Sequence, residues 1–147
     1  MGKAKLHLIK LCVGAESVED LARWQDAAIA ERRTDGRELL AVHVTRMWPK
    51  REAELIAGGS LYWVFKGFVL ARQRIEALAP RDGADGIRRC AIMLDPAIVR
   101  TAAQPRRPFQ GWRYLREADA PRDLIRAAAE PDLPPALIAR LDAMGVL

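Results

Sequence analysis

Residues 60–78 read SLYWVFKGFVLARQRIEAL, two runs rich in aromatic and β-branched side chains on either side of Lys66-Gly67. Such runs favour a pleated, half-buried backbone, and a Lys-Gly pair between them can supply a tight reversal, so the stretch predicts a β-hairpin. Side chains alternate across a strand. On the return strand this places Arg72 and Arg74 on one face and Val69, Ala71 and Ile75 on the other. Two guanidinium groups two residues apart project side by side, which is a suitable cradle for phosphate.

Upstream, KLHLIKLCV (residues 5–13) is a β-rich apolar run that ends at Gly14. Ser17 then offers a helix N-cap with Asp20 three residues later, and Leu21, Trp24, Ala28 and Ile29 recur at helical spacing. A long N-terminal helix over Ser17–Arg33 is expected, its Leu21, Trp24 and Ala28 stripe against the core. ELLAVHVTRM (38–47) alternates as a second strand, and PKREAELIAGG (49–59) reads as a short helix with Leu55 and Ile56 on one face and a Gly-Gly stop. Downstream, PRDGADG (80–86) is a polar turn and IRRCAIML (87–94) a further strand. DPAIVRTAAQPRRP (95–108), which contains three prolines, reads as an extended connector. After Leu115, APRDLIRAAAE and LPPALIARLDAM predict two short C-terminal helices with acidic first turns. At 147 residues this order gives one α+β domain, residues 1–147, around a curved, mostly antiparallel sheet.

Several classes are disfavoured. Lys10 interrupts the first apolar run, so a strand is expected there and not a secretory leader, and no apolar run is long enough to span a bilayer. Cys12 and Cys90 lie in apolar stretches and are expected to be reduced thiols of a cytoplasmic protein. With His7 and His43 they form no close pair at metal-ligand spacing, so neither a metal nor a cofactor is expected.

Charge is unevenly distributed. Residues 1–36 carry six basic and six acidic side chains, residues 37–116 fifteen and seven, and residues 117–147 three and six. The middle segment therefore holds an excess of 15 − 7 = +8 within a net charge of +5. Its densest part, PRRPFQGWRY (105–114), mixes Arg106, Arg107 and Arg113 with Phe109, Trp112 and Tyr114 and contains no acid. Arginine neutralises phosphate and aromatic rings stack on bases, so this composition suits nucleic acid, or failing that a phosphorylated small molecule. Pro105 and Pro108 restrict the backbone around the arginine pair, and Gly111 lets Gln110 or Trp112 approach a ligand closely. The predicted anion-binding set is Arg72, Arg74, Arg106, Arg107, Gln110, Trp112 and Arg113.

The segments HLIKLCVG, MWPKREAELIAGGSLYWVFKG, ARQRI and RPFQGWRYL together resemble a bacterial family of proteins of unknown function over nearly the whole chain. KREAELIAGGSLYWV and GFVLARQRIEAL are more weakly similar to PUA and ASCH proteins, a likeness that implies a small curved PUA-like barrel with a basic groove for RNA or a modified nucleotide. An RNA-favouring nucleic-acid or nucleotide module is thus the leading expectation. An enzyme acting on an anionic small molecule is the first alternative, with Asp95, Glu76 and His43 as its acid-base candidates, although no spacing forces them together. Cys12 or Cys90 partnered by His43 is a further nucleophile candidate, outside any known motif. A structural or protein-interaction domain is the third class.

Overall fold

The computed structural model describes residues 5–33 and 41–124. Their order is β1 (Leu6–Leu11), α1 (Val18–Arg33), β2 (Ala41–Thr45), α2 (Glu52–Ile56), β3 (Ser60–Phe65), β4 (Phe68–Asp82), β5 (Arg88–Leu94), β6 (Val99–Pro105) and β7 (Trp112–Arg116), followed by a single 3-10 turn at Glu117–Asp119. The seven strands form one mixed sheet in the order β2-β5-β4-β3-β1-β7, with β6 also on β4. The sheet is open and curved, and this α+β architecture agrees with the sequence expectation of a curved sheet; among the described residues its end strands β2 and β7 do not pair with each other, so the alternative of a closed PUA-like barrel is not formed. One pairing, β1 with β3, is parallel, and the others are antiparallel.

The hairpin forms at Lys66-Gly67, whose φ angles of 47° and 89° are the left-handed conformation that a two-residue reversal requires. From there β4 runs for 15 residues, further than the sequence suggested. Its first half pairs with β3 on one edge and β6 on the other, and its second half pairs with β5. The stretch 95–108 is not only a connector: β6 takes up Val99–Pro105 as a strand against β4 and stops at a proline.

Alternation divides the sheet into two faces. Leu8, Leu61, Trp63 and Phe65 face the main core with Ile75, Ile92 and Leu94, while Ile9, Tyr62, Val64, Val69 and Leu115 form a smaller cluster on the opposite face. Gln73 is fully buried on the core side. It accepts the Trp63 indole N–H at 2.9 Å and donates to the Asp95 carbonyl at 3.0 Å and to Gln25 at 2.7 Å.

The first helix departs from its expected role. Ser17 caps it by accepting the Asp20 N–H at 3.1 Å, and Val18 and Leu21 are buried in its first turns. Trp24, however, is 61% exposed, so the expected Leu21–Trp24–Ala28 stripe against the core is not formed. In α2 only Leu55 is buried and Ile56 points outward, because five residues give a single turn with room for one inward side chain. The expected C-terminal helices fall, beyond residue 124, outside the described residues. Residues 120–124 are extended along β6: Ala102 N–H donates to the Arg122 carbonyl and Leu124 N–H to that of Arg100.

Gly59 joins α2 to β3 where the backbone passes so close that a Cβ would lie 2.1 Å from the Leu6 carbonyl oxygen and 2.5 Å from that of Leu55. Backbone cannot yield as a flexible side chain would. Gly59→Ala should therefore lower stability by about 3 kcal/mol, read as a shift of the denaturant midpoint; an unchanged midpoint would show that this corner can open at no cost.

Candidate functional site

The face of the sheet opposite the main core carries two polar cavities. The register explains their place. Directly paired residues share a face, and Ile9 pairs with Tyr62 and Arg113, His7 with Leu115, and Tyr62 with Arg72.

The first cavity, of about 350 Å³, is formed by Arg106, Arg107, Phe109 and Arg113 over Ile9 and Leu115. The arm is fixed at its start by the Arg106 N–H, which donates to the Gly67 carbonyl at 2.8 Å and so ties the arm to the hairpin turn. Gly111, with φ 67°, turns the chain into β7, which brings Arg113 back beside Phe109. The Arg113 guanidinium lies 5.0 Å from the centre of the Phe109 ring. Among the described residues no carboxylate pairs with Arg106, Arg107 or Arg113, whereas Arg72, Arg89 and Arg116 each meet one within 3.0 Å.

The second cavity, of about 360 Å³, has His7, Ser60, Tyr62 and Arg72 on the sheet side and Glu117, Arg122 and Asp123 on the chain that crosses it, with Lys5 also lining it. Arg72 is held by a bidentate pair with Asp123, both bonds 2.7 Å, and donates a third bond to the Ser60 hydroxyl at 2.9 Å. The guanidinium in turn holds the Asp123 carboxyl below its usual range. His7 is 2% exposed; its Nδ1 accepts the Ser60 backbone N–H at 2.9 Å, and its Nε2 lies 3.3 Å from Glu117 Oε1. Burial lowers the His7 pKa and outweighs the opposing pull of Glu117. Burial also pushes the Tyr62 phenol up to about 12, so it remains a hydrogen-bond donor.

Arg106, Arg107 and Arg113 are thus brought together, and Arg72 lines the neighbouring cavity on the same face. Arg74 lies on that face too, opposite Ser60, but it is exposed and sits 3.8 Å from Glu76. Gln110 is exposed at the bend of the arm. Trp112 is a correction. It is only 9% exposed, belongs to the main core, and donates its indole N–H to the Met47 carbonyl at 2.8 Å, so its ring is not offered to a base. Being two residues from Tyr114 on β7 puts both on the core side, in edge contact at 4.9 Å. Tyr114 in turn anchors the preceding loop by accepting the Lys50 and Arg51 backbone N–H groups. Of the three arm aromatics, Phe109 and Tyr114 line the arginine cavity, and Phe109 has its ring beside one of that cavity's guanidinium groups, Arg113.

Sequence reading missed Lys5, His7, Ser60, Tyr62, Glu117 and Asp123. Alternation in LHLIKL could have paired His7 with Ile9 and Leu11 on one face, but nothing local announces that residues 117–123 cross that face. The acid-base candidates Asp95, Glu76 and His43 do not share either cavity. Burial raises both thiols to about 11, so neither Cys12 nor Cys90 offers a thiolate at neutral pH.

The described residues therefore define an α+β protein whose open, curved sheet presents paired polar cavities, one of them strongly basic. The chain belongs to a family described as "Protein of unknown function (DUF1489)", whose model matches residues 8–147. No curated protein and no solved structure matches it. Among the described residues no helix is long and apolar enough to cross a membrane.

Both histidines make stability depend on pH in a defined direction. Burial, reinforced by Lys10, lowers the His43 pKa from 6.5 to about 4, and its Nε2 is buried with no partner among the described residues. His7 shifts the same way. The unfolded chain takes up these protons near pH 6.5 and the folded chain does not. The contribution of His43 is complete above that pH and is lost as pH falls toward 4, and that of His7 is lost in the same direction below pH 6.5. His43→Phe, which keeps an aromatic edge against Trp63, should remove up to about 3 kcal/mol of the loss between pH 7 and 4, measured by denaturant midpoints; parallel pH curves for mutant and wild type would contradict the assignment.

Proposed function

We propose that this protein is a nucleic-acid-binding module, with single-stranded RNA the favoured ligand, and that the cavity of Arg106, Arg107, Phe109 and Arg113 is its anion-binding centre. One observation carries the reading: three guanidinium groups converge on one open cavity beside an aromatic ring, with no carboxylate among the described residues to neutralise them. Holding three cations together without partners costs self-repulsion, which an anionic ligand relieves. Phosphate matches their bidentate fork, and a base can stack on the Phe109–Arg113 pair.

The arm is also organised before any ligand arrives. Pro105 and Pro108 restrict the backbone on both sides of the arginine pair, and the hydrogen bond to Gly67 fixes where the arm leaves the sheet. Less entropy is then lost on binding. Single-stranded RNA is favoured over a duplex because it presents unstacked bases to a stacking ring. A phosphorylated small molecule uses the same cations and is the competing ligand.

Arg106→Ala/Arg107→Ala should weaken binding to single-stranded RNA and flatten its salt dependence by about one log-log unit for each phosphate that is no longer neutralised. Phe109→Ala should cost about 1–3 kcal/mol of binding through stacking with the slope nearly preserved. Fluorescence anisotropy across a salt series reads both. Wild type that binds no RNA at low salt, or folded variants that bind as well as wild type, would overturn the proposal. Trp112→Ala provides the contrast: as a core substitution it should lower stability by about 3–5 kcal/mol in thermal or denaturant unfolding, and an unchanged stability would restore Trp112 to the surface.

A further inference from the structure

Resting on the nucleic-acid reading of the arginine cavity, we infer that the neighbouring His7 cavity is a guanine-reading pocket, in which the His7 Nε2–H and the two Glu117 carboxylate oxygens meet the base-pairing edge of a guanine whose phosphate lies among the arginines. The proton on His7 is decisive. Because the Ser60 backbone N–H donates to Nδ1 at 2.9 Å, the neutral ring must carry its proton on Nε2. Burial favours that neutral ring. The imidazole is therefore a fixed donor and cannot turn to present an acceptor.

The Nε2–H faces Glu117 Oε1 at 3.3 Å, longer than the usual range of about 2.7–3.2 Å. Such a bond is readily shared with an incoming acceptor. Side by side, His7 and Glu117 present a donor, an acceptor and a second acceptor. The pairing edge of guanine offers the complement: O6 accepts, and N1–H and N2–H donate. Adenine offers one donor and one acceptor, uracil an acceptor, a donor and an acceptor, and cytosine a donor and two acceptors. Only guanine satisfies all three groups, and a mismatched base would leave a polar group of a half-buried site unpaired.

The surroundings fit a base. The cavity, about 360 Å³, is of the size of small-ligand sites, and Tyr62 stands edge-on to the His7 ring with centres 5.0 Å apart. Arg72 is committed to Asp123 and Ser60 and serves as a wall, and Lys5 and Arg122 also line the cavity. The two cavities are neighbours: His7 in one and Ile9 in the other are two residues apart on β1, roughly 7 Å of strand. A nucleotide with its base against His7 can extend that far to place a phosphate among the arginines.

The test compares GMP, AMP, CMP and UMP with the five-nucleotide RNAs UUGUU, UUAUU, UUCUU and UUUUU, by calorimetry for the former and anisotropy for the latter. Wild type should prefer the guanine member of each set by about tenfold or more. Glu117→Gln, which replaces one acceptor by a donor, and Glu117→Ala, which removes both, should abolish that preference and leave binding of the other members within about twofold, since the phosphate cavity is untouched. Arg106→Ala/Arg107→Ala should weaken all members together and keep their ratio. Preference in the RNAs but not the mononucleotides would assign the site to RNA, and the reverse to a free nucleotide. Equal binding of all four bases by wild type, or a guanine preference that survives both Glu117 variants, would overturn the pocket while the arginine result stands. Absence of binding to every probe would overturn both.

Discussion

The structure depends on one strand that must satisfy two sets of neighbours. β4 is paired along its first half by β3 and β6 and along its second half by β5, so its backbone groups are engaged on both edges over the first half. β6 and β5 follow one another as partners of the same strand, and the ladder does not pass between them in one unbroken register. The register shifts between Val69 and Ala71 and again between Ile75 and Ala77, and such irregularities increase local twist and bend the strand. Gln73 sits between the two. Its amide joins Trp63 of β3, Gln25 of α1 and the Asp95 carbonyl at the break between β5 and β6, so the bend is held by a buried polar network. A buried amide deprived of one of these partners would cost about 1–3 kcal/mol, which makes the curvature a specified feature.

That curvature decides where charge can go. The main core gathers Leu, Ile and Trp side chains on one face and leaves the other with a smaller apolar cluster beside its polar groups. On this second face arginine is used in two ways. At Arg72 the guanidinium is satisfied from within, by Asp123 and Ser60, and fastens the crossing chain to the sheet. In the arm, Arg106, Arg107 and Arg113 have no such carboxylate among the described residues. The first arrangement serves structure, and the second leaves a concentrated positive potential at the surface.

Sequence carried the hairpin, the first strand and the arm because each is encoded locally: aromatic and β-branched runs, a Lys-Gly reversal, and a proline-bounded arginine pair. It failed where long-range pairing overrode local signals. VRTAAQP has weak strand character, yet β4 recruits it because an unpaired edge would otherwise be buried. Trp24 fits a helical stripe, but among the described side chains of α1 full burial is reached at Val18 and Leu21, and no periodicity in the helix reports the size of the surface opposite. Trp112 could be read either as core or as a platform, since two-residue spacing fixes which residues share a face and not which face is inside. The His7 cavity was illegible for a simpler reason: its two walls are 110 residues apart in the chain.

The Ser60–His7 hydrogen bond links the fold to the site. Ser60 opens β3 directly after the close passage of Gly59 past Leu6, and its N–H points toward β1, where His7 receives it. An apolar residue at position 7 would leave that buried donor unpaired, so the imidazole is required for structure whatever it does in the cavity. The same bond fixes the tautomer and aims the remaining N–H toward Glu117. Rigidity obtained from the backbone is what a recognition donor needs, because a side chain that can neither rotate nor exchange its role discriminates between ligand edges without an ordering cost at the moment of binding.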